Sequence, residues 1–186
     1  MLLTHFVFGA FFNFFQYDLF TLTIQDSVQF HINNCYQSAQ DLSEVITAAA
    51  RLTTTSIFPF ITVPYFELSG KQMRTRSGVE LVVYSPFVAN DQVTEWVTYS
   101  EENGATWIHQ SDSVLQLSPQ EVSITPMIYN GNGSTMVPSP PPGPFAPAWQ
   151  TSPPPLNPTF INYNMLQWTA VRSVMPAISL TGGTSI

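Results

Sequence analysis

The sequence predicts an α+β fold, in which one long N-terminal helix precedes a mixed α/β domain that carries a proline-rich strap. Three observations lead to this class. Residues 17–52 contain no proline or glycine, and their apolar side chains recur with a helical period. Beyond residue 77, short runs of β-branched and aromatic residues between turn signals are typical of strands. Most of the chain's 16 prolines lie within residues 137–158.

Composition limits the class of protein. The 186 residues are 44% hydrophobic and 13% aromatic, which is enough to build a core, and the chain is not a charge-rich disordered segment. A net charge of −7 with only five Lys and Arg residues leaves no basic surface for nucleic acid, so we expect no such partner. The one basic group, Lys71 with Arg74 and Arg76, is interpreted as a solvated loop. A single cysteine excludes an internal disulfide and a Cys-cluster zinc site.

Residues 1–17 are predicted to be the end of a transmembrane helix. The run MLLTHFVFGAFFNFF carries no charged side chain and is dense in phenylalanine, which an exposed surface tolerates poorly. The run is shorter than the ~20 apolar residues of a full span, so the alternative is the buried start of a helix. The first interpretation predicts attachment to a membrane through this segment, with most of the chain extracellular or lumenal.

Residues 18–56 are predicted to form a long stalk helix. Apolar side chains recur at steps of three and four from Ile24 to Ala49, a period close to that of a coiled coil. Such a seam suits a helix that packs along its own domain, and it equally suits a homodimer through residues 18–52. Cys35 lies on this seam and is interpreted as a small packed side chain rather than a reactive thiol.

Residues 57–175 are predicted to form the mixed domain, which begins with an aromatic neck at residues 57–67. Two prolines within this neck exclude a central strand. The expected elements after the neck are a strand at 78–88, a helix from Asn90 or Asp91 to the turn-prone pair Asn103-Gly104, strands at 105–110 and 122–129, and a short helix within 165–174.

Residues 137–158 are predicted to be a rigid strap that packs on the domain. Their proline content alone would equally suit a disordered linker. Phe145 and Trp149 within the segment are too apolar for a free linker, which favours the strap. The triplet that begins at Asn132 has the form of an N-glycosylation site, and residues 176–186 are expected to be a frayed tail.

Few residues indicate catalysis. His109 and Asp112 form a His-x-x-Asp pair, a spacing that is common by chance. Glu101 and Glu102 are neighbours, so their side chains diverge by about 100° on a helix and suit solvated surface better than paired acid–base chemistry. We expect no enzyme, no cofactor and no metal site, and a hydrolase of unfamiliar type stays as an alternative.

A series of short motifs in a fixed order resembles a known family. The motifs are FPFITVPYFE at 58–67, YSPFV at 84–88, EWVTYS at 95–100, NGATWI at 103–108, GPFAPAWQTSPPP at 143–155 and INYN at 161–164. Together, over residues 17–175, they resemble the extracellular region of the receptor-type nucleotide (guanylate or adenylate) cyclases of diatoms and related algae. The resemblance implies a PAS-like domain of the Cache or CHASE kind behind the long helix.

The resemblance also implies a function, which is ligand sensing and signal relay for a membrane receptor whose cyclase domain is not in this chain. A small molecule in an aromatic pocket would shift the neck against the long helix. The candidate pocket residues are Phe60, Tyr65, Phe66, Tyr84, Trp96, Tyr99, Trp107 and Tyr163. The alternative is a secreted or surface module that binds a glycan or small molecule without signalling.

Overall fold

The computed structural model describes residues 2–52, 57–119, 121–131 and 136–168. The predicted class is confirmed as mixed α+β with a long N-terminal helix and small antiparallel sheets. The helices and strands are α1 (Leu2–Leu52), α2 (Phe66–Ser77), β1 (Val82–Tyr84), α3 (Val93–Leu115), β2 (Tyr129–Gly131), β3 (Met136–Pro138) and β4 (Gln150–Ser152). The possible glycosylation site at Asn132 and the tail at 176–186 lie outside the described residues.

Among the side chains of α1 from Phe20 onward, those that pack on the domain lie in the C-terminal part of the helix. The side chains of residues 20–33 are all exposed, whereas Leu42 and Ile46 pack against the core. Cys35 is partly buried, as expected for a packed thiol, and its Sγ lies 3.7 Å from the carbonyl oxygen of Ser77 in α2. The packed part of α1 therefore meets the domain through α2.

The predicted transmembrane segment is wrong. Within the described part of the chain, no helix combines the length and the apolar character that crossing a bilayer requires. The physical reason is that His5, Asn13 and Gln16 interrupt the apolar run before Asp18 ends it, whereas a span needs ~20 mainly apolar residues. The membrane partner and the membrane location, with most of the chain extracellular or lumenal, depended on this segment and are also wrong.

Helix α2 lies where the sequence predicts only the end of the neck and a loop. Its C-terminus is set by Gly78, which adopts a left-handed φ of 73° and donates its N–H to the carbonyl oxygen of Arg74. Inside the helix, Gly70 is buried against Ser152 of β4, where a larger side chain would overlap Cβ of that serine. Gly70 thus serves the close approach of helix to strand and does not break the helix.

Helix α3 continues past the pair at which it was expected to end. Asn103 donates its side-chain amide to the carbonyl oxygen of Tyr99 at 2.9 Å, and Gly104 is buried against Ile124. The expected strand at 105–110 is therefore wrong, because Trp107 and Ile108 are buried at helical spacing on the face that begins at Trp96. Tertiary packing outweighs the local turn signal here.

The extended segments are shorter than predicted, but backbone hydrogen bonds join them in one ribbon. β1 pairs antiparallel with β4, and the same segment continues to a bridge between Val88 and Phe145. On the other side, Ala148 exchanges backbone bonds of 2.8 and 2.9 Å with residues 162–163. Tyr129 of β2 bonds in turn to residues 162 and 164, and β2 pairs antiparallel with β3.

Residues 145–152 of the proline-rich segment run through the middle of this ribbon and are all buried. Trp149 is completely buried, as a packed strap requires. Proline cannot donate a backbone hydrogen bond, so the segment pairs through the residues between its prolines, such as Ala148 and Trp149. The core therefore forms between this segment, α3 and the neck.

Candidate functional site

Four of the eight predicted pocket residues meet around Trp149. The ring centroids of Trp96, Tyr99 and Trp107 lie 5.4, 5.6 and 6.1 Å from that of Trp149. The ring of Phe60, from the neck, lies 5.7 Å from Tyr99 in an edge-to-face arrangement. Edge-to-face and tilted geometries are those that aromatic pairs prefer, so these contacts stabilise the packing around Trp149.

The other four predicted residues lie elsewhere. Phe66 and Tyr84 form a separate buried pair at 6.5 Å, and Tyr65 is 54% exposed at the start of α2. Tyr163 belongs to a cluster with Tyr129. Because Trp96 and Trp107 are also fully buried, only Phe60 and Tyr99 of the Trp149 cluster reach an open surface.

That surface is a groove between the neck and the N-terminal half of α3. It has a volume of about 710 Å³. We call it the α3 groove. The residues that line it are Ile57, Phe60, Asp91, Gln92, Thr94, Glu95, Thr98, Tyr99 and Glu102. Phe60 and Tyr99 form its aromatic wall, Glu95 and Glu102 stand on the face of α3 beside them, and Asp91 lies in the turn that precedes this helix.

The carboxylates of the groove are candidates that the sequence analysis did not assign to a binding site, because Glu102 was interpreted as solvated surface and Asp91 as a possible helix start. Asp91, Glu95, Thr98 and Glu102 follow at steps of four, three and four, which places them along one side of a helix. This spacing is visible in the sequence. It is easily passed over because the pair Glu101-Glu102 stands at an apparent helix end, where acids suit solvated surface.

The electrostatics of the groove are negative. None of the described residues that line it is Lys or Arg. Arg74 is engaged at α2, where it contacts Glu67 at 2.8 Å and Ser152 at 3.0 Å. Arg76 forms an ion pair with Asp41 of α1. Arg74 and Arg76, two of the three basic residues of α2, thus form ion pairs within the fold.

Tyr99 is held in place from both ends. Its hydroxyl oxygen lies 2.6 Å from the Thr62 hydroxyl, and its carbonyl oxygen accepts the Asn103 amide. Burial raises the pKa of Tyr99 above its ordinary value, although the hydrogen bond with Thr62 opposes the shift. The phenol is therefore neutral at physiological pH, and its ring offers an uncharged aromatic face.

The neck connects the groove to the rest of the fold through directed hydrogen bonds. Trp149 donates its indole N–H to the carbonyl oxygen of Ile61 at 3.0 Å. Gln150 of β4 accepts the backbone N–H of Val63 at 2.7 Å and donates its amide to the carbonyl oxygen of the same residue at 3.0 Å. Any displacement of Phe60 would therefore strain bonds within three residues of it.

The residues considered for catalysis all lie on α3. His109 and Asp112 lie on α3 rather than on a strand, with His109 exposed and Asp112 buried. Of the adjacent pair Glu101 and Glu102, only Glu102 lines the α3 groove. Across the described residues, no three His, Cys, Asp or Glu side chains are grouped so that they could hold a metal ion.

Comparison of the chain with protein-family models, with curated proteins and with solved structures gives no match. The resemblance to cyclase sensor regions therefore stays a prediction that rests on the motifs alone. The geometry of the α3 groove is the remaining guide to function.

Proposed function

We propose that this chain is a non-catalytic binding and relay module, and that the α3 groove takes an organic cation. One observation carries the proposal, which is that two aromatic side chains and three carboxylates line the same groove. An ammonium group over an aromatic face is attracted by about 0.5–1 kcal/mol at an exposed site and more where water is excluded. The carboxylates of Asp91, Glu95 and Glu102 add Coulomb attraction over the whole groove.

The lining also favours a ligand with an apolar body. Ile57 and Phe60 offer carbon surface, while Gln92, Thr94 and Thr98 can bond to a polar substituent. An anionic ligand is disfavoured because it would face three carboxylates. An open groove of this kind is expected to bind with a Kd of about 1 μM to 1 mM, which corresponds to about −8 to −4 kcal/mol.

The relay part of the proposal rests on the neck. Phe60 lines the groove, and Ile61 and Val63 are bonded to Trp149 and Gln150 just behind it. Helix α2 follows the neck directly and is paired with α1 through Arg76 and Asp41. A ligand that prefers one position of Phe60 would bias this chain of contacts toward one arrangement of α1.

Binding can be tested by NMR or calorimetric titration of the full chain with choline and tetramethylammonium. The matched control ligand is 3,3-dimethylbutan-1-ol, which replaces the charged nitrogen of choline by carbon. We expect the cations to bind at least about tenfold more tightly than the alcohol, a difference of about 1.4 kcal/mol. Equal affinity for choline and the alcohol would contradict the proposed ligand class.

Variants locate the site. Glu95→Gln and Glu102→Gln should each weaken choline binding several-fold, because each removes a charge from the groove. The matched control is Glu101→Gln, which changes the adjacent exposed carboxylate on the same helix but outside the groove. If Glu101→Gln weakens binding as much as Glu102→Gln, the cation is responding to net charge and not to this groove.

The relay is tested separately by hydrogen exchange. Choline at saturation should change exchange at the packed part of α1, around Asp41, as well as at the groove. If choline binds without any change of exchange in α1, the chain is a binding module and the relay part of the proposal is contradicted. The motif resemblance suggests that the domain receiving the signal is a nucleotide cyclase.

We also propose that the domain behind α1 has a PAS-like fold. It is supported by the order of long helix, neck, α2, β1, α3 and the later strands, and by the backbone bonds that join the extended segments in one ribbon. The test is NMR spectroscopy of the full chain, in which cross-strand NOEs should link Tyr129 with residues 162–164 and those residues with Ala148. Absence of these NOEs would contradict a single ribbon.

A further inference from the structure

A second cavity lies between β2 and residues 157–168. Its volume is about 240 Å³, and four aromatic side chains line it together with Asn157 and Thr159. The four are Tyr129, Phe160, Tyr163 and Trp168. The cavity shares no lining residue with the α3 groove, so a ligand site here is independent of the proposed cation site.

Three of the four rings of this cavity contact one another. Phe160 and Tyr163 are nearly parallel, with an interplanar angle of 17° and centroids 6.1 Å apart. Tyr129 meets Tyr163 edge to face at 5.6 Å and donates its hydroxyl to the carbonyl oxygen of Thr159. Trp168 is 46% exposed and therefore leaves much of its indole open to a ligand.

Polar groups stand beside the rings. The side-chain oxygen of Asn157 accepts the backbone N–H of Thr159 at 3.0 Å, which fixes the amide. Within the described residues, the amide N–H groups of Asn157 and the hydroxyl of Tyr163 have no hydrogen-bonding partner in the protein. These groups are donors that a ligand could satisfy.

The cavity selects against charge. Its described lining contains no Asp, Glu, Lys, Arg or His, so a charged ligand would lose water without gaining an opposite charge. A purely apolar ligand would gain nothing from the Asn157 amide and the Tyr163 hydroxyl, which are exposed and partly buried respectively, whereas a ligand with hydroxyl groups can bond to both. The volume lies below the ~300–1,000 Å³ of pockets for drug-sized ligands, which limits the occupant to about one ring with its substituents.

We propose that this cavity is a binding site for a neutral saccharide. One pyranose ring would place its face of C–H groups on the aromatic surface of Trp168 and Tyr163, where the negative face of the rings attracts the slightly positive hydrogens. Its hydroxyl groups would accept hydrogen bonds from Asn157 and Tyr163. A pyranose combines an apolar face and a polar rim in one small neutral molecule, as this lining requires.

The experiment is an NMR titration of the full chain with glucose, galactose, mannose, N-acetylglucosamine and their β-linked disaccharides. At least one should bind with a Kd of about 0.1–10 mM, and the shifted resonances should include Trp168 and residues 157–163. Sialic acid, a charged sugar, should bind at least about tenfold more weakly. No binding by any neutral sugar, or preference for sialic acid, overturns the proposal.

Variants tie the binding to the rings. Trp168→Ala should weaken the best sugar at least about tenfold, and Trp168→Phe, which keeps a ring, should retain most of the affinity. The matched control is Leu156→Ala, which removes an apolar side chain that is 96% exposed and does not line the cavity. Thermal unfolding of each variant checks that it is folded. Unchanged affinity in Trp168→Ala overturns the site.

Discussion

Trp149→Ala is the substitution that most directly tests how the proline-rich segment contributes to stability. Trp149 is completely buried, and its ring touches Trp96, Tyr99 and Trp107. Removal of a buried Trp or Phe side chain typically costs about 3–5 kcal/mol. The change also leaves the carbonyl oxygen of Ile61 without its donor, so we expect a loss at the upper end of that range.

Two further variants separate the contribution of ring packing from that of the indole hydrogen bond. Trp149→Phe keeps an aromatic ring among the other three but removes the indole N–H, so it should cost about 1–3 kcal/mol through the unpaired Ile61 carbonyl. Trp168→Ala removes the same side-chain type at a position that is 46% exposed, and it should cost less than about 1 kcal/mol.

The assay is urea unfolding followed by far-UV circular dichroism, with the free energy of unfolding obtained by linear extrapolation. Small domains have only about 5–15 kcal/mol of stability, so if Trp149→Ala leaves too little native protein for a full curve, Trp149→Phe supplies the value. A loss below about 1.5 kcal/mol for Trp149→Ala, or a loss equal to that of Trp168→Ala, would contradict packing of the segment in the core.

Two further predictions concern the contacts of α2. Gly70→Ala should destabilise the fold by about 1–3 kcal/mol despite the better helix propensity of alanine, because the new Cβ overlaps Cβ of Ser152. Combination with Ser152→Gly should recover part of this loss. If thermal unfolding shows that Gly70→Ala alone is more stable than the protein, the close packing is contradicted. The hydrogen bond from Gln37, helped by Arg76, lowers the pKa of Asp41 from its ordinary value of 3.8. The stabilisation from Asp41 is therefore present above that value and is lost as the pH falls through the lower folded-state pKa, so the difference in Tm between the protein and Asp41→Asn should shrink between about pH 6 and pH 2. A difference that is constant over this range would show that the charge of Asp41 plays no part.

The helical parts of the fold were predictable where local and tertiary preferences agree. α1 follows from a long stretch without proline and with a regular apolar period. α3 was predicted only to Asn103, because Asn-Gly usually marks a helix end. The glycine is required instead by the approach of Ile124, a contact that no local pattern records.

The strand within the proline-rich segment shows a different limit. Proline content predicts an extended backbone, and the buried Trp149 agrees with the strap interpretation. The partner and register of β4 could not be predicted, because its bonds to β1 span about seventy positions and depend on which residues between the prolines keep an N–H.

The candidate site was predictable in part. Phe60 and Tyr99 were named from the aromatic motifs, and both line the α3 groove. The acidic side of the groove was recognisable from the spacing of Asp91, Glu95 and Glu102, but it becomes meaningful only when the neck is seen to fold against this face of α3. Which aromatic side chains remain accessible is decided by burial, and composition gives no information about it.

The exposed part of α1 has a mechanical consequence. Helix α1 is paired with α2 at Asp41, while its side chains from 20 to 33 are all exposed. The helix rises 1.5 Å per residue, so the stretch from Phe20 to Cys35, where α1 first contacts α2, is an arm of about 22 Å. A tilt of about 10° of the packed part of α1 would move Phe20 by about 4 Å. A small rotation of α1 against α2 is thus magnified along the exposed stretch.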